Sequence, residues 1–284
     1  MLYRSIRYTA RCIMGMALFM TTVFSGTAHG DRTMVVGHRG ASYYAPENTL
    51  ASVRLAWKLQ ADAAEIDVYL TPDKRIVAIH DASTKRTTGV DLPVSSTPSR
   101  ELRTLDAGSF KSPEYKGEKI PFLEEVIKTV PKGKRLVVEI KCGEDVLPYL
   151  DTIVSKSKKR DRIVFISFGW DVIRRCKELM PDIPAYWLCT VDTSDSTAGP
   201  ALKSGKFVLP VREALDTVKK AGLDGVDIGH AGVDAAIVNA ARERGLGVHI
   251  WTVNDPARAK ALAEMGVIGI TTDRPDLIRK GLER

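Results

Sequence analysis

The sequence predicts an α/β chain folded as a (β/α)8 TIM barrel, with a small insertion after a hairpin on the second strand. Three observations predict it. Eight β-like apolar runs alternate with amphipathic helical segments, the pattern of βαβ units and a parallel sheet. The first 30 of the 284 residues read as a leader, and the remaining 254 suit one closed barrel with a substantial core. Histidine, arginine and carboxylate residues collect near the ends of the first three runs, where barrels gather their chemistry.

The leader comes first. Arg4, Arg7 and Arg11 precede an apolar stretch over 13–24, and Ala28 and Gly30 stand at −3 and −1 of a cleavage before Asp31. That is the layout of an export signal, so the mature chain 31–284 is expected in the periplasm or outside the cell. The stretch is shorter than the about 20 residues of a spanning helix, so no stable membrane insertion is expected after its removal. Removing it takes three arginines and no acid, and the formal net charge falls from +7 to +4. A mild positive balance suits a small anionic substrate, and the arginine stripe of a nucleic-acid binder is missing. Cys142, Cys176 and Cys189 then remain, an odd number without zinc spacing. They read as small buried hydrophobes, with Cys176–Cys189 as the candidate bridge.

The first strand is the apolar run 34–37, closed by Gly37 and Gly40, which permit a tight turn or a close ligand approach. Asn48 or Thr49 then caps a helix over 50–59. The second strand, 63–70, alternates: Glu65 and Asp67 face one side, Ile66, Val68 and Leu70 the other. Residues 76–80 are also strand-like, yet only 71–75 separate them from that strand. A parallel crossover takes a dozen or more residues, so this is a hairpin. With 72–75 as its turn, Thr71 pairs with Ile76 and Asp67 falls opposite His80, with Cβ atoms roughly 5 Å apart. Residues 82–118, rich in Thr, Ser, Pro and Gly, are expected to form an inserted subdomain over the mouth. The remaining strands are 135–141, 162–167, 184–190, 224–228, 247–253 and 267–272, with helices over 122–130, 146–157, 171–180, 212–220, 234–244 and 257–265. The connection 191–209 is long enough for a flap.

Glu65 and Asp67 repel each other on the inner face unless a cation lies between them. Glu139, on the neighbouring third strand, completes a three-carboxylate set. All-oxygen donors indicate one divalent hard cation, Mg2+ or Ca2+, rather than zinc. Lys141 and Arg39 are placed for phosphate oxygens. His38 and His80 have the right chemistry for proton transfer. Glu47 and Asn48, in the loop above, are expected to support these groups from behind, with a direct ligand role also open to Glu47. Trp251 walls the cavity, His249 lies deeper as a structural residue, and Ser167-Phe168 end the fourth strand at the cavity. Asp273 and Arg274 read as a loop-closing pair.

The chain resembles the glycerophosphodiester phosphodiesterase family. The resemblance is carried by His38-Arg39-Gly40, Glu47-Asn48-Thr49, Glu65-x-Asp67, His80-Asp81, Leu105-Asp106-Ala107-Gly108, Glu139-Ile140-Lys141, Trp251-Thr252-Val253-Asn254 and Thr272-Asp273-Arg274-Pro275-Asp276. It implies a metal on Glu65, Asp67 and Glu139, an acid/base pair in His38 and His80, and phosphate contacts from Arg39 and Lys141. It also implies a small phosphodiester substrate, a deacylated phospholipid cleaved to glycerol 3-phosphate and an alcohol. Which histidine is the acid, and whether water or the glycerol 2-hydroxyl attacks, stay open, as does the oligomeric state. A phospholipase-type phosphodiesterase on the same scaffold would need an apolar patch at the mouth, and 82–118 is mostly polar. A non-catalytic headgroup-binding protein would have lost metal or acid/base residues, which this chain keeps.

Overall fold

The computed structural model describes residues 32–192, 201–203 and 206–283. The expected leader, 1–30, lies outside them, as does part of the 191–209 connection. The strands are β1 (Met34–Gly37), β2 (Ala63–Leu70), β3 (Ile76–Ala78), β4 (Arg135–Ile140), β5 (Ile163–Ser167), β6 (Ala185–Cys189), β7 (Val191–Asp192), β8 (Ala201–Lys203), β9 (Lys206–Pro210), β10 (Gly225–Gly229), β11 (Gly247–Trp251) and β12 (Gly269–Thr272). The helices are α1 (Leu50–Lys58), α2 (Lys85–Thr88), α3 (Ser99–Leu102), α4 (Leu123–Thr129), α5 (Leu147–Lys156), α6 (Trp170–Leu179), α7 (Val211–Lys220), α8 (Ala235–Glu243), α9 (Pro256–Met265) and α10 (Pro275–Leu282).

Eight parallel strands run round the barrel in the order β1-β2-β4-β5-β6-β10-β11-β12, and β1 pairs with both β2 and β12, which closes the ring. The protein is a (β/α)8 barrel. Alternation along each strand sends one set of side chains outward against the helices and the other inward. Val35, Ile66, Val138 and Phe165 belong to the outer core, with Ile127, Leu150 and Ile173 of the helices. Val36, Ala63, Val137, Ile166, Tyr186 and Leu188 fill the interior. The carboxylates of β2 and β4 share that inner face, and Asp67 stands beside Glu139 in the parallel register.

The hairpin is one residue out from the expected register. Leu70 pairs with Ile76 and Val68 with Ala78, so Asp67 opposes Ile79 rather than His80. The loop holds three residues, 72–74, instead of four. Lys74 takes φ 61°, and its N–H donates to the Thr71 carbonyl while Thr71 N–H donates to Arg75. A turn ending in a left-handed residue is the common three-residue hairpin closure.

Residues 82–118 pack Val94, Leu102 and Ala107 against Val77 and Ile79, giving this segment its own small core on the hairpin. Among the described residues, none from 82–118 lines the central cavity, so the segment flanks the mouth. Lys111 Nζ donates to the Ser42 carbonyl and Tyr115 Oη to the Tyr44 carbonyl, tying it to the loop after β1. Beyond β6, β7 and β8 flank β9 in a small separate sheet. Cys142, Cys176 and Cys189 are free thiols, so the Cys176–Cys189 bridge does not form. Burial lifts the Cys176 thiol to about 12.

Candidate active site

The turn after β1 builds the first wall. Gly40 has φ +85°, and a Cβ there would sit 2.3 Å from Ser52 Oγ on α1. The glycine therefore serves the close packing of turn on helix rather than ligand approach. Arg39 and Asn48 adopt φ 52° and 59°, an uncommon conformation for residues with a Cβ, which marks a constrained loop. Thr49 caps α1, accepting from Ser52 N–H. Asn48 is free for another task. Its amide donates to Asp67 Oδ2 at 2.8 Å and its carbonyl accepts from Asp67 N–H at 3.0 Å.

Glu65, Asp67 and Glu139 are all buried and each offers one oxygen within 4.8 Å of the others. Arg39 N–H donates to Glu65 Oε2 at 2.8 Å, while Glu65 Oε1 is buried without a hydrogen-bond partner. Burial, then the charges of Asp67 and Glu139, push the Glu65 carboxyl well up. Burial and Asp67 raise Glu139 to about 7, against the pull of Lys141. Three crowded carboxylates with an unsatisfied oxygen fit a divalent cation, which would relieve the repulsion and complete the contacts of Glu65.

Cationic side chains ring this cluster. Lys141 Nζ lies 2.9 Å from Glu139 Oε1, 3.6 Å from Asp67 Oδ1 and 3.3 Å from His80 Nε2. Burial opposes its charge, but Glu139 and Asp67 more than compensate and raise its pKa. Arg39 Nη1 donates to Glu47 Oε1 at 2.9 Å and its Nε stands 3.3 Å from Asp67 Oδ2.

Each histidine is held at Nδ1 by a carboxylate, which fixes the orientation of its ring. His38 Nδ1 lies 2.7 Å from Asp273 Oδ1, and His80 Nδ1 lies 2.6 Å from Asp81 Oδ1. Burial alone would raise Asp273, but hydrogen bonds from His38, Asn254 and Ser42 bring it down to about 2. Asp81 falls to about 2 in the same way, burial being outweighed by Arg86 and His80. Arg86, on α2, reaches both supports at once. Its Nη1 and Nη2 meet Glu47 at 2.7 and 2.8 Å, and its Nε meets Asp81 Oδ2 at 2.6 Å.

A cavity of about 160 Å³ joins these groups, lined by His38, Arg39, Glu65, His80, Glu139 and Lys141 on one side. Phe168 and Trp251 wall it, their rings edge to face at 5.7 Å. The structure thus gathers the expected histidines, cations, carboxylates and Trp251 into one place. Ser167 is elsewhere, its hydroxyl donating to the Ile140 carbonyl. Asp273 corrects the expected loop-closing pair with Arg274: it serves His38, while Arg274 lies over the Tyr43 ring at 4.4 Å. His249 is buried against Tyr186. Two residues went unforeseen. Arg86 had a signal in a cation five residues after His80-Asp81. Asp227, buried on β10 beside the cavity, had only the oddity of an acid within an apolar strand.

Comparison with known proteins decides the family. The model of the glycerophosphoryl diester phosphodiesterase family matches residues 38–277.

The chain belongs to the glycerophosphoryl diester phosphodiesterase family.

Among its members, YhdW of Bacillus subtilis is 34% identical over 87% of this chain and 96% of its own. A Caldanaerobacter subterraneus protein named glycerophosphodiester phosphodiesterase is 30% identical, over 88% of this chain and 99% of its own. A solved Oleispira antarctica phosphodiesterase, in complex with the product sn-glycerol-3-phosphate, superposes with a TM-score of 0.77 at 29% identity. That match covers 89% of this chain and 98% of the other.

Proposed function

We infer that the enzyme hydrolyses glycerophosphodiesters, releasing glycerol 3-phosphate and an alcohol with the help of one divalent cation, Mg2+ or Ca2+. The observation that carries this reading is the meeting, in one barrel-mouth cavity, of the Glu65–Asp67–Glu139 cluster with two cations and two carboxylate-anchored histidines. Family membership and the named relatives support the same chemistry.

Glu65, Asp67 and Glu139 would hold the cation, which would supply Lewis-acid stabilisation of charge on the phosphoryl oxygens. Arg39 and Lys141 bind those oxygens and are already oriented by Glu47 and Glu139. The Nε2 atoms of His38 and His80 share the proton traffic. One accepts the proton of the attacking hydroxyl and the other delivers a proton to the departing oxygen. The leader-like segment 1–30 supports export to the periplasm or extracellular space.

Phosphorus NMR of residues 31–284 with glycerophosphocholine tests the reading. Glycerol 3-phosphate should form, and a chelator should stop it. A transient cyclic phosphate would mark the glycerol 2-hydroxyl as nucleophile. No turnover by the metal-loaded enzyme would overturn the reading.

A further inference from the structure

Asp227 has no part in the proton and phosphate chemistry above, yet it borders the same cavity. Its side chain is 2% exposed and its Oδ1 is buried without a hydrogen-bond partner. An unpaired buried polar group costs stability, and the usual remedies are a partner or an apolar replacement. A site that keeps such an atom turned toward a cavity keeps it for a ligand.

The topology says which part of the ligand. In the ring of eight strands β10 is diametrically opposite β2. Asp227 therefore faces Glu65 and Asp67 across the barrel. Between the two walls the cavity is apolar, with Ile166 on β5 and Leu188 on β6. Leu188 is the register neighbour of Asp227. Trp251 closes the side, its Nε1–H donating to the Asp227 carbonyl at 3.1 Å, which fixes the indole next to the carboxyl. A ligand held at its phosphate by Arg39 and Lys141 meets carbon-lined surface next and a lone carboxyl last. A short polyol phosphate has that sequence of groups. Only a small group fits in the about 160 Å³ available, so the variable alcohol must leave by the mouth.

We propose that Asp227 binds the hydroxyl groups of the substrate's glycerol moiety and so selects glycerol phosphodiesters over phosphodiesters without a polyol arm. This rests on the phosphodiesterase reading above.

The test compares, by titration calorimetry, the binding of sn-glycerol 3-phosphate and of ethyl phosphate, which carries the phosphate without the hydroxyls, to the metal-loaded protein. The native enzyme should bind glycerol 3-phosphate about tenfold or more tightly than ethyl phosphate, as expected where a buried group pairs with a hydroxyl. Asp227→Leu should weaken glycerol 3-phosphate by about 10- to 100-fold and leave ethyl phosphate within about threefold. The same change should raise the melting temperature of the ligand-free protein, because the unpaired carboxyl is gone. Asp227→Asn keeps the shape and should reduce the preference by about three- to tenfold, which reads the site even if the leucine variant does not fold.

An unchanged preference in the variants, or an equal loss for both ligands, would overturn the assignment. Failure of the native enzyme to cleave glycerophosphocholine would instead overturn the function reading, and the ratio of the two binding affinities would still report on Asp227.

Discussion

Asp273→Asn separates what the His38 support contributes to stability from what it contributes to turnover. The carboxylate accepts from His38 Nδ1 at 2.7 Å, Asn254 Nδ2 at 2.6 Å and Ser42 Oγ at 3.0 Å. Its pKa falls from 3.8 to about 2, because those bonds outweigh burial. At about 1.4 kcal/mol per pH unit this is about 2 kcal/mol. With the side chain 30% exposed, solvent screening brings it to about 1–2 kcal/mol. The folded value lies below the unfolded one. The stabilisation is therefore complete above about pH 4 and is lost as pH falls through about 2. At pH 7 the variant should melt a few degrees below the native protein, at roughly 2–4 °C per kcal/mol for a chain of this size. That gap should narrow between pH 4 and pH 2. Turnover should suffer more, because a misoriented histidine forfeits part of the roughly 10²- to 10⁴-fold that general acid–base catalysis supplies. Steady-state kinetics should show kcat down by about 100-fold and KM changed by less than about threefold. A kcat within about threefold of native, or a melting gap independent of pH, would refute the reasoning.

Arg86→Ala should cost only about 0.5–1 kcal/mol in a thermal melt, because the side chain is 46% exposed. It should nonetheless lower kcat/KM by about 10- to 50-fold, since Asp81–His80 and Glu47–Arg39 lose one shared support; Lys cannot reproduce the fork. Glu65→Gln should weaken divalent-cation binding by about tenfold or more in calorimetry and stabilise the metal-free protein, because it removes one of three repelling charges. Asp62 accepts from Val35 N–H and from Arg279 and lies near Arg32, and these contacts outweigh burial to lower its pKa. Asp62→Asn should cost about 2–4 kcal/mol in urea unfolding at pH 7, and less as pH falls below about 4, where the unfolded chain's carboxylate takes up its proton before the native one does.

The barrel and most of the candidate site were legible because their signals are local. Period-two alternation alone places Glu65 with Asp67 and Glu139 with Lys141 on the inner face. What the sequence hid depends on contacts between distant residues or on single torsions. The hairpin slipped by one residue because Lys74 adopts a left-handed turn, which nothing in Pro72-Asp73-Lys74-Arg75 demands. Asp273 looked like a partner for its neighbour Arg274, yet its real partner is His38, 235 residues away. Helix α10 lies beyond the helices that the sequence pattern predicts, although Pro275 opens it in the manner of a first-turn proline. Asp227 was passed over because an isolated acid in a strand has no periodicity to mark it; only the closed ring shows that it faces the cluster on β2.

The most direct measurement is a crystal structure of the protein with Mn2+ and sn-glycerol 3-phosphate, the ion located by anomalous scattering. One ion should be coordinated by Glu65, Asp67 and Glu139, with the phosphate between Arg39, Lys141 and the two histidines. An ion bound elsewhere, or a phosphate that touches neither histidine, would contradict this assignment.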